Sequence, residues 1–187
     1  MRAKEVSAIL ERLCNLLRME MRAFGLKHGL QPVQLEALTY LAHCNRYSDT
    51  PQAVGEYLGL TKGTVSQSLK VLEKRQLLHK HQDREDKRVV HLSPTAWGRT
   101  LVEQSLQAKG LTSALGVTSE AGRFDLQEML LATLRNLQRQ NNRKSFAACH
   151  TCRFNELQND RYVCGLTKEP LSRKDIQLLC REHQYEG

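Results

Sequence analysis

Four of the six cysteines fall close together near the C-terminus, as Cys149-His150-Thr151-Cys152, then Cys164, then Cys180-Arg181-Glu182-His183. A C-x-x-C turn lets two thiolates converge on one metal. A third cysteine and a C-x-x-H pair in the same short segment complete a tetrahedral set. Cys149, Cys152, Cys164 and Cys180 are the expected ligands, with His183 as the substitute where Cys164 or Cys180 is not used. His150 is expected to face solvent. The segment has too few apolar residues for an ordinary core of its own, and a bound metal would supply the missing stabilisation. Zinc suits four thiolates, or three with an imidazole. An iron–sulfur cluster also takes four cysteines, and the absence of a second C-x-x-C, usual in a zinc ribbon, keeps that reading open. Bare redox thiols are the third chemistry. A cluster would make the tail a sensor, because its oxidation or loss would unfold the tail beside the elements that precede it. Zinc would make it a structural cap or a partner surface.

A second constellation lies in the middle of the chain. Between Lys62 and Arg88 there are eight basic and four acidic side chains, so this window holds half of the formal net charge of +8. Thr61 is placed to cap a helix over Lys62 to Arg75. Val65, Leu69 and Leu72 give that helix a buried stripe. Thr64, Ser66, Gln67, Lys70 and Lys74 leave its other face small, polar and cationic. A DNA major groove admits one α-helix, and base edges are read by such a face. Strands are expected over Leu77 to His81 and Arg88 to Leu92. The turn between them, Asp83-Arg84-Glu85-Asp86-Lys87, has no hydrophobic residue. It would carry Arg84, Lys87 and Arg88 to phosphates or a minor groove, with Asp83 and Asp86 pairing with the wing arginines. The expected DNA-binding residues are Thr61, Lys62, Thr64, Ser66, Gln67, Lys70, Lys74, Arg84, Lys87 and Arg88.

The flanking elements must position these groups. Ala3 to His28 reads as one long helix, with Val6, Ile9, Leu13, Leu16, Leu17 and Phe24 at helical spacing. Pro32 opens a second helix running to about Cys44, with Val33, Leu35, Leu38 and Leu41 as its apolar face. Pro51 opens a short third one, Gln52 to Leu58, which Gly59 ends. After the hairpin, Ser93 and Pro94 are expected to start a helix reaching about Lys109. Another amphipathic helix is expected over Ser119 to Gln140, with Phe124, Leu126, Leu130, Leu134 and Leu137 as apolar positions. Two short helices, a tight turn and a two-stranded hairpin make a winged helix-turn-helix. The expected fold is therefore mainly α with a small β-wing, the DNA-binding domain and its long dimerisation helices spanning 1-140 and the Cys-rich tail 141-187.

Lys4 to Gln140 resembles the MarR-type regulators. Leu60-Thr61-Lys62-Gly63-Thr64-Val65-Ser66-Gln67-Ser68-Leu69 looks like the recognition helix of that family, and Leu72-Glu73-Lys74-Arg75-Gln76-Leu77 like its exit into the wing. Asp83-Arg84-Glu85-Asp86-Lys87-Arg88, followed by Val90, Leu92 and Ser93, looks like its wing motif. Gln76 stands where the family often has Gly, a departure with little at stake. The resemblance implies a homodimer with interleaved terminal helices, binding a pseudo-palindromic operator in double-stranded DNA, usually as a repressor. It also implies a pocket for a small-molecule effector between the dimer helices and the DNA-binding lobe. The tail departs from the family pattern. The two terminal helices also carry more apolar face than one small wing domain can cover, which independently favours a dimer.

Composition bounds the alternatives. Hydrophobic residues make up 40% of the 187 and aromatics only 5%, suiting a helical protein built on Leu, Ala and Met. A sequence pI near 9.3 favours a polyanionic partner. No run approaches the length of a membrane span and the first ten residues hold no signal-peptide core, so a cytoplasmic protein is expected. No G-x-S-x-G, H-E-x-x-H or phosphate-binding Gly loop is present, so no enzyme is expected. Two other functions compete with the regulator. One is a thiol redox protein using Cys149 and Cys152, for which Phe146-Ala147-Ala148 offers no clear strand. The other is a metal-bearing protein-interaction module.

Overall fold

The computed structural model of the chain describes residues 2–107 and 110–186. Its first long helix, α1 (Arg2–Lys27), leads into α2 (Pro32–His43), α3 (Pro51–Leu58) and α4 (Lys62–Lys74). Each boundary has a local cause. Pro51 occupies the first turn of α3, where its missing N–H costs nothing, and the Thr50 hydroxyl accepts from Ala53 N. Gly59 ends α3 in the left-handed conformation at φ 67°. Two residues later Thr61 caps α4 by accepting from Thr64 N. The turn of the helix-turn-helix is thus set by one glycine and one threonine.

The hairpin pairs β1 (Leu78–Gln82) with β2 (Val90–Pro94) antiparallel, Leu78 opposite Pro94 and Gln82 opposite Val90. The second strand lies two residues later than expected. Pro94 closes that strand instead of opening a helix, because it sits at the end of the ladder, where a missing N–H is tolerated. The helix that follows, α5 (Ala96–Gln107), is started by Thr95, whose hydroxyl accepts from Gly98 N and donates to Gln76 O. The expected endpoint at Lys109 lies outside the described residues. A short helix, α6 (Leu111–Gly116), not foreseen, precedes α7 (Glu120–Gln140), which Ser119 caps.

The core forms where α2, α3, α4, α5 and the hairpin meet. Leu35, Leu38, Ala53, Val54, Leu72 and Leu101 are buried in it. Gly98 is required there, since a Cβ would stand 2.3 Å from the Leu77 carbonyl oxygen. By contrast, α7 has no fully buried residue and α1 only Gly25.

The tail is folded despite its few apolar residues. It contains β3 (Ala147–Ala148), β4 (Asn155–Gln158), β5 (Arg161–Cys164), β6 (Pro170–Leu171) and β7 (Leu179–Cys180), with 3-10 turns at Cys149–Thr151 and Asp175–Gln177. Phe146, just ahead of β3, is buried in the main core, edge-on to Tyr40 and Tyr57. Beyond that anchor the tail has a minimal core of its own, in which Cys149, Leu171 and Ile176 are buried.

Candidate nucleic-acid interface and the cysteine cavity

The helix α4 buries Val65, Ser68, Leu69 and Leu72. That spacing turns Thr64, Gln67, Lys70 and Lys74 outward as one exposed stripe. Thr61, Lys62 and Ser66 are exposed beside it. The Thr61 and Thr64 hydroxyls lie 3.0 Å apart, so both also serve the start of the helix. Arg75, at the other end, donates to Gly29 O and His28 O at 2.5 and 2.7 Å and pins α4 to the α1–α2 turn.

The wing is shaped by its acids. One Asp83 carboxylate oxygen accepts from Glu85 N and Asp86 N, each at 2.8 Å. Asp86 takes Arg88 in a two-pronged pair, from Nε at 3.0 Å and the terminal nitrogen at 2.9 Å. These bonds hold both carboxyls below the usual carboxylate range. The expected pairing thus holds for Asp86 with Arg88, while Asp83 serves backbone amides and a histidine. Among the described residues neither Arg84 nor Lys87 has an ion-pair partner, and both are exposed.

A groove of about 1090 Å³ runs between α3, α4 and the wing. Lys62, Ser66 and Arg88 line it, together with Lys80, Arg143 and Arg181, which the sequence reading left out. Lys80 follows β-strand alternation, and Arg143 and Arg181 come from the tail, so only the tertiary fold could bring them here. The base of the wing was missed as well. His91 Nδ1 lies 2.5 Å from Asp49 and its Nε2 3.2 Å from Asp83, while the His81 ring stacks on it at 5.3 Å. The bond to Asp49 is the largest cause that raises the His91 pKa, and burial raises that of Asp49.

Two antiparallel pairings bring the tail cysteines together. Ala147 opposes Cys180, which sets β7 beside the Cys149 turn. Asn155 opposes Cys164, which folds the β4–β5 hairpin back toward Cys152. All four cysteines line one cavity of about 30 Å³ that Phe154, Leu166 and Leu171 help close. Burial, then the neighbouring Cys180, Cys152 and Cys164, pushes the Cys149 thiol up to about 12. All six cysteines are free, and no group of three or more His, Cys, Asp or Glu side chains among the described residues is set up to hold a metal ion with those thiols in place. His183 is not among the residues lining the cavity. It is buried, with Nδ1 2.7 Å from Ser145 Oγ and Nε2 2.9 Å from Thr151 Oγ, so its ring ties tail segments together and is not free to replace a cysteine. His150 is exposed, as expected.

The tail is bonded to both neighbouring parts of the chain. Asn45 N donates to Leu179 O at 2.9 Å and Arg181 N to Ser48 Oγ at 2.8 Å, joining it to the loop between α2 and α3. Arg46 pairs with Glu169 at 2.6 Å, and the Tyr47 hydroxyl bonds the same carboxylate. On the other side, Gln138 of α7 donates to Ser145 O at 2.9 Å and Arg135 lies over the Tyr185 ring at 4.1 Å. No helix among the described residues is long and apolar enough to cross a membrane.

A model of the MarR family matches residues 28–89. A search of curated proteins gave no match. Among solved structures, S. aureus MepR in its DNA-binding conformation is similar with a TM-score of 0.62 at 21% identity, covering 71% of this chain and 98% of that one. Streptococcus pneumoniae FabT in complex with DNA gives 0.60 at 19% identity, covering 75% and 99%. The transcriptional regulator Tm0710 from Thermotoga maritima gives 0.52 at 21% identity, covering 74% and 96%. The fold is therefore the winged helix-turn-helix of the MarR proteins.

Proposed function

We propose that this chain is a MarR-type transcriptional regulator that binds a pseudo-palindromic operator in double-stranded DNA as a homodimer and represses the genes behind it. The observation that carries this reading is the exposed stripe Thr64, Gln67, Lys70 and Lys74 beside a wing whose Arg84 and Lys87 have no ion-pair partner. Gln67 has the donor and acceptor that a base edge needs, and Lys70 and Lys74 the charge for bases or phosphates. Arg84 and Lys87 supply phosphate or minor-groove contacts at a distance from the helix. Arg88, held by Asp86, stiffens the wing and lines the groove beside Lys62 and Lys80. Similarity in fold to MepR in its DNA-binding conformation and to FabT in complex with DNA supports the same conclusion.

The dimer rests on apolar surface. Val6, Ile9, Leu13 and Leu16 are each at least 40% exposed and recur along one side of α1. Phe124, Leu130, Leu134 and Leu137 do the same on α7. Stripes of this kind are covered by a partner, and two-fold pairing of identical chains is the commonest solution. The four tail cysteines that line one cavity hold a metal centre that feeds into DNA binding, and a small-molecule effector acts between the dimer helices and the winged lobe.

The test is selection of duplexes from a random library by the full chain, with the sedimenting mass measured alongside. Enrichment of a two-fold symmetric site, bound by a species of twice the chain mass, is the expected result. Binding without sequence enrichment, or by a monomer, would overturn the reading.

A further inference from the structure

We propose that Cys149, Cys152, Cys164 and Cys180 form a tetrathiolate site for a single Zn²⁺ ion, which clamps the tail between α7 and the loop that leads into the helix-turn-helix. The inference deepens the regulatory reading above and rests on it only for the consequence for DNA. The metal site itself stands on the cavity.

The backbone already does most of the assembly. The four cysteines come from three segments separated by up to 28 residues in sequence (152 to 180), and the two pairings described above deliver all of them to one small space. Tight turns surround each of them. Cys152 N donates to Cys149 O at 3.0 Å, Lys168 N to Cys164 O at 2.7 Å, and His183 N to Cys180 O at 3.3 Å. Beside Cys164, the Glu156 carboxylate lies close over Gly165, and a Cβ there would have to displace it. Donors also point at the sulfurs. Gln184 N lies 3.5 Å from Cys152 Sγ, and Cys180 is bonded by the Asn45 side chain and by a backbone amide at Glu182. Amides aimed at sulfur are what a charged thiolate needs around it.

The size and chemistry choose the occupant. A cavity of about 30 Å³ has room on the order of one atom or one water, whereas a cluster brings several irons and sulfides into the same space. Four soft sulfur donors select a tetrahedral thiophilic dication, and zinc is the redox-inert one. On binding, four thiols release four protons and four Zn–S bonds form, leaving a centre of net charge −2. The thiols as placed do not yet form a metal-holding group, so binding requires the side chains to turn inward from the cavity wall while the backbone pairings are kept. A tail whose own buried core is Cys149, Leu171 and Ile176 lacks enough apolar burial to hold five short strands, and a metal supplies the missing constraint.

The position of the site gives it a consequence. Asn45, which bonds Cys180, is the second residue after the α2 terminus and also accepts from Ser48 Oγ and Tyr47 N. The same loop runs into Thr50, the cap of α3. The tail on its other side holds Gln138 and Arg135 of α7. Zinc thus stiffens a bridge from the dimer helix to the reading head.

The experiment uses the full chain purified without chelator, with metal content by mass spectrometry and the visible spectrum of the Co²⁺-loaded protein. One zinc per chain is expected, with tetrahedral thiolate bands for Co²⁺, falling to near zero in Cys164→Ser and in Cys149→Ser. Cys14→Ser keeps the full complement and controls for folding and handling. Where a cysteine variant fails to fold, chelator titration of the native chain followed by hydrogen exchange provides the second readout. Zinc removal is expected to raise exchange in Asn45 to Thr50 and in the tail, while the α2 and α4 core stays protected. An iron–sulfur chromophore, a Cys149–Cys152 disulfide with no metal, or zinc retained in both cysteine variants would each overturn the proposal. None of these readouts involves DNA, so they fail or succeed independently of operator binding.

Discussion

Arg181 of the tail and Glu56 of α3 form a two-pronged ion pair, Nε to Oε2 at 2.7 Å and a terminal nitrogen to Oε1 at 2.7 Å. The bond from Arg181 is the main cause that lowers the Glu56 carboxyl to about 2. Lys144 and Glu182 complete a cluster of four charges in which the tail grips the first helix of the helix-turn-helix.

Breaking this pair is expected to loosen the tail without unfolding the winged lobe. Arg181→Ala should cost about 1 kcal/mol, the scale of a partly exposed ion pair with good geometry. Limited proteolysis should then cut first within residues 141–186. Glu56 is depressed in the fold, so its contribution is complete above the ordinary carboxylate pKa and fades as pH falls toward about 2. Glu56→Gln should flatten that acid limb of the stability profile. An unchanged acid limb would show that the pair carries no net stability.

His91 makes the opposite prediction. Its pKa is raised by Asp49 first and then by Asp83, with the stacked His81 ring also nearby. A raised histidine stabilises the fold fully below its unfolded pKa, and that stabilisation is lost as pH rises through the folded value. The wing base should therefore loosen on going from mildly acidic to mildly alkaline pH. Urea midpoints measured across that window should fall, and His91→Gln should remove the slope.

Gln76 has φ 57°, in the left-handed region. Glycine adopts that backbone freely, whereas glutamine there carries a cost. An L-residue pays about 1–2 kcal/mol in that region. Gln76→Gly is expected to stabilise the chain by roughly 1 kcal/mol, read from chemical denaturation at an unchanged m-value. Gly98→Ala should do the reverse, costing about 1–3 kcal/mol as α5 is pushed off Leu77.

The interface residues separate by their salt dependence. Arg84→Ala and Lys87→Ala should each weaken binding to all duplexes alike and reduce the salt slope by about 1. Gln67→Ala should leave the slope alone and change the preference between sites. Equal loss on every sequence for Gln67→Ala would place it on phosphate, away from the bases.

Most of the winged lobe could be read from the chain because its causes are local. Gly59 and Thr61 set the turn, Val65, Leu69 and Leu72 set the buried face of α4, and the hydrophobic-free stretch after Gln82 set the wing. The errors fell where a long-range partner decides. Pro94 reads as a helix start until the ladder with Leu78 is known, and Lys80 reads as an ordinary strand residue until it lines the groove.

The cysteines divide the same way. Residue type and the C-x-x-C spacing were enough to single out Cys149, Cys152, Cys164 and Cys180, since two thiols on one turn must lie close. That all four line one cavity, that His183 is spent on Ser145 and Thr151, and that the tail is seated on Glu56 depend, apart from the local β4–β5 hairpin, on pairings between residues 30 to 130 positions apart. Pairings at that separation are chosen by the packing of the whole chain around Phe146, Tyr40 and Tyr57, and no local pattern encodes them.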